Sequence, residues 1–270
     1  MKTIEIITVG NELLLGDVLD TNTNWLCKHI SLYGGKVRRA VIVPDELSAI
    51  TRELQDALRR GAEIIFTIGG LGPTPDDRTL QGVAAATGSP LKLHPQALAF
   101  VQQKYEELAT RGWVAKASLT KWREKMAMLP QGADFLPNPC GAAPAPIMRS
   151  GKSIIISLPG VPAELKSIVE ESLQPLLREL LGRSARIETS ITVNCNDESA
   201  LAPLLKEVVE HNPEVYIKSH PLRFGSDVKI RITLSSSGES PSVLHKKIAQ
   251  ALNHLKELLS VAGLSAESAE

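Results

Sequence analysis

One stretch constrains the fold more than any other: Ile64-Ile65-Phe66-Thr67-Ile68-Gly69-Gly70-Leu71-Gly72-Pro73-Thr74-Pro75-Asp76-Asp77. Its first five residues are all β-branched or aromatic, which predicts a buried strand. The run stops at glycines and restarts at Thr74-Pro75, an N-cap type followed by proline at a first helical position. Strand, glycine loop and helix start in that order turn backbone N–H groups and a positive dipole end toward an anion. The glycines accept positive φ and let a ligand approach the backbone. Asp76 and Asp77 are then expected in the first helical turn, beside a phosphate. Two carboxylates there make sense with a divalent cation between them. The plainer reading is a capping box, with acids in a first turn for dipole reasons alone. Neither common nucleotide motif fits. Pro75 occupies the last glycine position of G-x-G-x-x-G, and Pro146 stands where a Walker A ending in Gly151-Lys152-Ser153 needs its first glycine.

The flanking pattern fixes the class. Thr3 to Val9 and Val37 to Val43 read as strands, and helices follow each. One of these helices carries Leu47, Ile50, Leu54 and Leu58 at helical spacing. Alternating β and α elements predict a parallel sheet with right-handed crossovers. A further strand, Ser153 to Leu158, turns through Pro159-Gly160-Val161-Pro162 into a helix predicted over Ala163 to Leu180. Two glycine turns side by side suit the two phosphates of a diphosphate. Residues 1–175 are expected to form a three-layer, doubly wound, mostly parallel α/β domain. Residues 183–260 read as a smaller α+β domain of order β-α-β-β-α, and 261–270 as a frayed tail. The same order occurs in KH-type domains, but no GxxG follows Arg183.

Several side chains fall near the expected ligand end of the sheet. Glu12 leaves the first strand at its carboxyl end, where open α/β sheets bind ligands. Asp20-Thr21-Asn22 opens a helix, with Asp20 or Thr21 as its cap. Asn138 sits in a long proline- and glycine-rich loop, Gln131 to Pro146. It reads as a hydrogen-bonding partner for ribose or phosphate, or as an Asn-Pro turn. Lys116, Lys121, Arg123 and Lys125 either face an anionic substrate or form a solvated helix face, the plainer reading.

Composition narrows the partners. Hydrophobic residues make up 43% of 270, enough for a packed core. Thirty Lys and Arg balance thirty Asp and Glu, which argues against a nucleic-acid partner. Cys27, Cys140 and Cys195 are too scattered for a disulfide framework or a CxxC site, which suits the cytoplasm. No apolar run approaches ~18 residues, so no membrane association is expected.

GGLGPTPDDRT (Gly69 to Thr79) resembles the GGLGPTxDDxT signature of the CinA competence/damage-inducible family, within the MoaB/Mog-like molybdopterin-binding superfamily. TVGNELLLGDVLDTN (Thr8 to Asn22), NPCGAAP (Asn138 to Pro144) and LPGVPAEL (Leu158 to Leu165) match in the family's order. Two departures stand out: Ala142-Ala143-Pro144-Ala145 replaces the usual Thr-Ala-Pro-Gly, and Asn11 precedes Glu12 where the family often has Asp or Thr. The resemblance implies a short form without the carboxyl-terminal deamidase domain, cytoplasmic and homodimeric. It implies a metal-dependent pyrophosphatase converting ADP-ribose to AMP and ribose 5-phosphate. Glu12, Asp76 and Asp77 would be catalytic and metal-ligating, with Mg²⁺, Mn²⁺ or Co²⁺ bound and a monovalent cation as a further cofactor. Asn22, Gly69, Gly70, Leu71, Gly72, Pro73, Thr74, Asn138, Gly141 and Gly160 would bind the small-molecule nucleotide. The alternatives are a molybdopterin-binding or cofactor-biosynthesis protein and a non-catalytic nucleotide-binding scaffold.

Overall fold

The computed structural model describes residues 2–182, 185–221, 229–238 and 240–268. It divides into two compact units. The first comprises residues 1–31 and 35–182, the second 32–34 and 183–270.

The first unit opens with β1 (Thr3–Val9), a one-turn helix α1 (Asn11–Leu14) and α2 (Thr21–Leu32). Next come β2 (Lys36–Val43), α3 (Leu47–Arg59), β3 (Ile64–Ile68) and α4 (Thr79–Thr87). A small ribbon pairs β4 (Leu91–Leu93) with β5 (Met128–Pro130). Between its strands lie α5 (Pro95–Thr110) and the five-residue α6 (Lys121–Lys125). β6 (Asp134–Leu136), β7 (Ala145–Ser150), β8 (Ser153–Leu158), α7 (Pro162–Ser167) and α8 (Gln174–Leu181) complete it.

The main sheet has the order β2-β1-β3-β8-β7-β6. β2, β1, β3 and β8 run parallel, while β7 and β6 join antiparallel to their neighbours. The sequence explains the centre. β3 and β8 are buried along their whole length and β1 along six of its seven residues, as strands covered on both faces must be. β2 carries Lys36, Arg38 and Arg39 and lies at the edge, where charge discourages further pairing. Glu5 is buried inside β1. Arg60 meets it with two bonds of 3.0 and 2.7 Å, so its charge is paired.

The expected helix from Ala163 to Leu180 is interrupted. A π-turn at Ile168–Ser172 separates α7 from α8, and the Leu173 N–H reaches back to the Ile168 carbonyl at 2.8 Å. Pro175, without an N–H, enters at the start of α8, which accounts for the break.

The second unit contains β9 (Ala185–Asn194), α9 (Glu198–His211), β10 (Tyr216–Pro221), β11 (Lys229–Gly238), α10 (Pro241–Val261) and β12 (Ala266–Ser268). Its antiparallel sheet runs β10-β11-β9-β12. The expected tail is therefore corrected. Leu264 and Ala266 pack onto this unit's core, the Asn194 N–H donates to the Ser265 carbonyl at 3.1 Å, and 266–268 pair with β9. The order becomes β-α-β-β-α-β, that of ferredoxin-like modules. Residues 269 and 270 of the expected tail lie outside the described residues. Among the described residues no helix is long and apolar enough to cross a membrane.

Candidate functional site

β1, β3 and β8 end together. Ile68 pairs in register with Thr8 on one side and Leu158 on the other, so three loops leave the sheet at the same level. Around them lies a cavity of about 520 Å³, within the usual size range of small-molecule sites.

The glycine loop forms its floor. Gly69 has φ +95, and a Cβ there would stand 2.4 Å from the Val9 carbonyl oxygen; only glycine fits between the strand ends. Gly70 has φ +67 and packs against Thr79. Thr79 then pins the loop, its hydroxyl donating to the Gly69 carbonyl at 2.7 Å and its N–H to the Gly70 carbonyl at 3.2 Å. Among the described residues, the N–H groups of Gly70, Leu71 and Gly72 have no acceptor. The second turn lies against the first: a Cβ on Gly160 would be 3.5 Å from Gly69 Cα.

The turn after the loop differs from expectation. Asp76 and Asp77 do not enter a helix, because α4 begins only at Thr79 and Arg78 precedes it without a side-chain cap. Asp77 Oδ2 accepts from the Thr74 N–H at 2.8 Å and from its hydroxyl at 2.6 Å, while the Asp77 N–H donates to the Thr74 carbonyl at 3.2 Å. Residues 74–77 thus form a single closed turn that carries the reciprocal bond of a capping box.

Asp20 caps α2, accepting from the Thr23 N–H at 2.9 Å. Asn22 ties that helix to the second turn by donating to the Gly160 carbonyl at 2.7 Å. Its Oδ1 is buried in the cavity wall with no hydrogen-bond partner among the described residues.

Glu12, Asn22, Gly69, Gly70, Leu71 and Gly72 line the cavity, as do Pro73, Asp76, Asp77 and Gly160. Thr74, Asn138 and Gly141 do not. The polar groups of Thr74 are engaged by Asp77. Asn138 is fully buried and saturated: Oδ1 accepts from the Cys140 and Gly141 N–H groups at 3.1 and 2.8 Å, and Nδ2 donates to the Ala143 carbonyl at 3.0 Å and to Glu164 Oε2 at 2.7 Å. It shapes its own loop and aims a carboxylate, with no valence left for ribose or phosphate. Gly141 packs under that carboxylate, where a Cβ would meet Glu164 Oε2 at 2.2 Å.

Glu164 is, with Asp45, an acidic pocket residue that sequence reasoning passed over. It lies in the first turn of α7, behind Pro159-Gly160, as Asp76 and Asp77 lie behind the first glycine loop. That parallel was the available signal. Lys125, read as solvent-facing, instead turns inward to three carbonyls of the glycine loop and its turn.

Six carboxylate residues line the cavity: Glu12, Asp20, Asp45, Asp76, Asp77 and Glu164. No lysine, arginine or histidine does among the described residues. Hard oxygen donors suit Mg²⁺ or Mn²⁺. Yet among the described residues no three His, Cys, Asp or Glu side chains are gathered closely enough to hold a metal ion. Glu12, Asp76 and Asp77 therefore share a cavity without forming a ligand set. Glu12 folds back over Gly10, and Asp77 is engaged by Thr74.

A mostly parallel sheet with glycine turns and a small-molecule cavity at its strand tips defines an open α/β ligand-binding domain. Residues 5–179 match the family model described as "Probable molybdopterin binding domain". The chain belongs to that family. It is 45% identical to a protein of Aeropyrum pernix over 253 residues, covering 94% of this chain and 91% of the relative. It is 39% identical to a protein of Pyrobaculum calidifontis, covering 96% of each. Among solved structures it is similar to the protein CinA, of unknown function, from Thermoplasma acidophilum. The identity is 34% and the TM-score 0.59, over 65% of this chain and 99% of that one.

Proposed function

We propose that the first unit binds a phosphorylated pterin of the molybdopterin class in the cavity at its strand tips. The observation that carries this reading is that the cavity lies within residues 5–179, the stretch matched by the molybdopterin-binding family. The chemistry of the wall agrees. A pterin presents an amino and imino edge of N–H donors, and the carboxylates of the wall are acceptors for such an edge. The bare N–H groups of Gly70, Leu71 and Gly72 are donors for the phosphate.

A second reading keeps the cavity and changes the ligand. Asp76 and Asp77 follow a GGLGPT loop of CinA type, and in that family's manner the ligand is ADP-ribose, hydrolysed to AMP and ribose 5-phosphate with Mg²⁺, Mn²⁺ or Co²⁺. The acidic wall favours a cation accompanying a diphosphate. The scattered carboxylates count against a resident metal.

One experiment separates the two. Calorimetry is run with molybdopterin and with ADP-ribose, beside an assay of AMP release with each metal and with a chelator. Pterin binding without AMP release supports the first reading. Metal-dependent AMP release that falls at least ~100-fold in Asp77→Asn supports the second. Binding of neither ligand rejects both.

A further inference from the structure

Lys125 closes α6 and is partly buried. Its ammonium donates to the carbonyl oxygens of Gly72 at 3.3 Å, of Thr74, and of Asp77 at 2.7 Å. None of these acceptors is a carboxylate. Two of the three carbonyls belong to peptide groups preceding proline, Gly72-Pro73 and Thr74-Pro75. Those groups carry no N–H, so the turn is rich in acceptors and poor in donors. An ammonium supplies three donors on one positive centre, the complement of three converging carbonyls. Carbonyl oxygens arranged this way also replace the hydration shell of a monovalent cation. Lys125 lines a small recess of about 160 Å³ with Leu80, Gln81, Leu91 and Met128, which shares Gly70, Leu71, Gly72 and Asp77 with the main cavity.

We propose that Gly72, Thr74 and Asp77 form a backbone-carbonyl cation site occupied by the chain's own Lys125, and that this tethered charge holds the glycine loop in its anion-receiving shape. The side chain stands where a free K⁺ or NH₄⁺ would otherwise bind. Removing it by Lys125→Ala opens the site to such an ion. Lys125→Met removes the charge but leaves the space filled.

The test compares melting of the full-length wild type and both variants in choline chloride and in ammonium or potassium chloride of equal ionic strength. Lys125→Ala should melt about 5 °C or more below wild type in choline. Ammonium or potassium should restore at least about half of that loss, by refilling the carbonyl site. Wild type and Lys125→Met should show no such cation preference. If Lys125→Ala is unfolded in choline, its circular dichroism in ammonium chloride decides: a recovered folded spectrum supports the site. The proposal is overturned if Lys125→Ala melts like wild type in choline, if neither ion restores it, or if wild type and Lys125→Met respond to the ions equally. A second readout, pyrophosphate affinity by calorimetry, rests on the anion-binding reading above. It should weaken at least ~10-fold in Lys125→Ala in choline and recover in ammonium, the loss of roughly one charge-assisted contact. Should wild type fail to bind pyrophosphate, that reading falls, while the melting comparison still decides the role of Lys125.

Discussion

The loops Gly69–Pro73 and Asn138–Pro144 both contain glycine and proline and both border the cavity, yet they handle their polar groups in opposite ways. In the first, Thr79 and Lys125 take up carbonyls while three consecutive N–H groups have no acceptor among the described residues. In the second, one buried asparagine satisfies two N–H groups, a carbonyl and a carboxylate at once. The first loop has its carbonyls tied down and its N–H groups open; the second is closed upon itself. Glycine and proline content does not distinguish a ligand loop from a structural one. The donors left over after the fold is satisfied do.

The largest effect should come from closing the open loop with a single methyl group. Gly69→Ala places a Cβ 2.4 Å from the Val9 carbonyl oxygen at φ +95. Backbone strain and forced displacement together should cost about 4 kcal/mol. In a unit of this size that lowers the melting temperature by roughly 8–16 °C. A Gly69→Ala protein within a degree or two of wild type would mean that β1 and β3 do not approach as described.

Opening the closed loop should cost slightly less. Asn138→Ala strands the Cys140 and Gly141 N–H groups, the Ala143 carbonyl and the Glu164 carboxylate. The expected loss is about 3 kcal/mol, since water reaches some of these groups once the side chain is gone. Asn138→Asp sharpens the comparison, because it sets a carboxylate oxygen 2.7 Å from Glu164 Oε2. That variant should be the less stable at neutral pH and should gain on Asn138→Ala under acid, read by urea unfolding at two pH values. If instead Asn138 contacts ligand, both variants keep wild-type stability and lose only binding.

These loops also mark where a linear reading works and where it stops. The strand tips were legible because their signals are local: an apolar run, then glycine, at Ile64–Gly72 and again at Ser153–Gly160. The α/β alternation of the first unit was legible for the same reason. The start of α4 was not, since Thr74-Pro75 carries the residues of a helix entry but spends them on a closed turn. Glu164 and Lys125 act on loops 26 and about 50 positions away, and no periodicity reports such partners. β12 has three residues and no pattern of its own; it exists as a strand only because β9 offers an open edge. Asn138 was read either as a hydrogen-bonding partner for a ligand or as a turn residue, and its bonds to the Cys140 and Gly141 N–H groups are those of the turn; a sequence displays valences and hides who fills them.

The smallest effect is expected at the second glycine turn, and it tests whether the two turns are equivalent. Gly160 lies against Gly69, but a Cβ there would stand 3.5 Å from Gly69 Cα, ordinary van der Waals contact. Its φ is not in the left-handed region, so no backbone strain opposes a side chain. Gly160→Ala should therefore change unfolding free energy by no more than about 0.5 kcal/mol, and the smaller entropy of the unfolded chain works in its favour. Both strand tips face the same cavity, so the added methyl protrudes where a ligand passes close to the backbone. A protein that melts like wild type and binds molybdopterin or ADP-ribose several-fold more weakly would place Gly160 beside the ligand. Unchanged affinity would assign the ligand to the first loop alone. A loss of stability comparable with that of Gly69→Ala would show that the second turn, too, is held by close packing, and would erase the asymmetry between them.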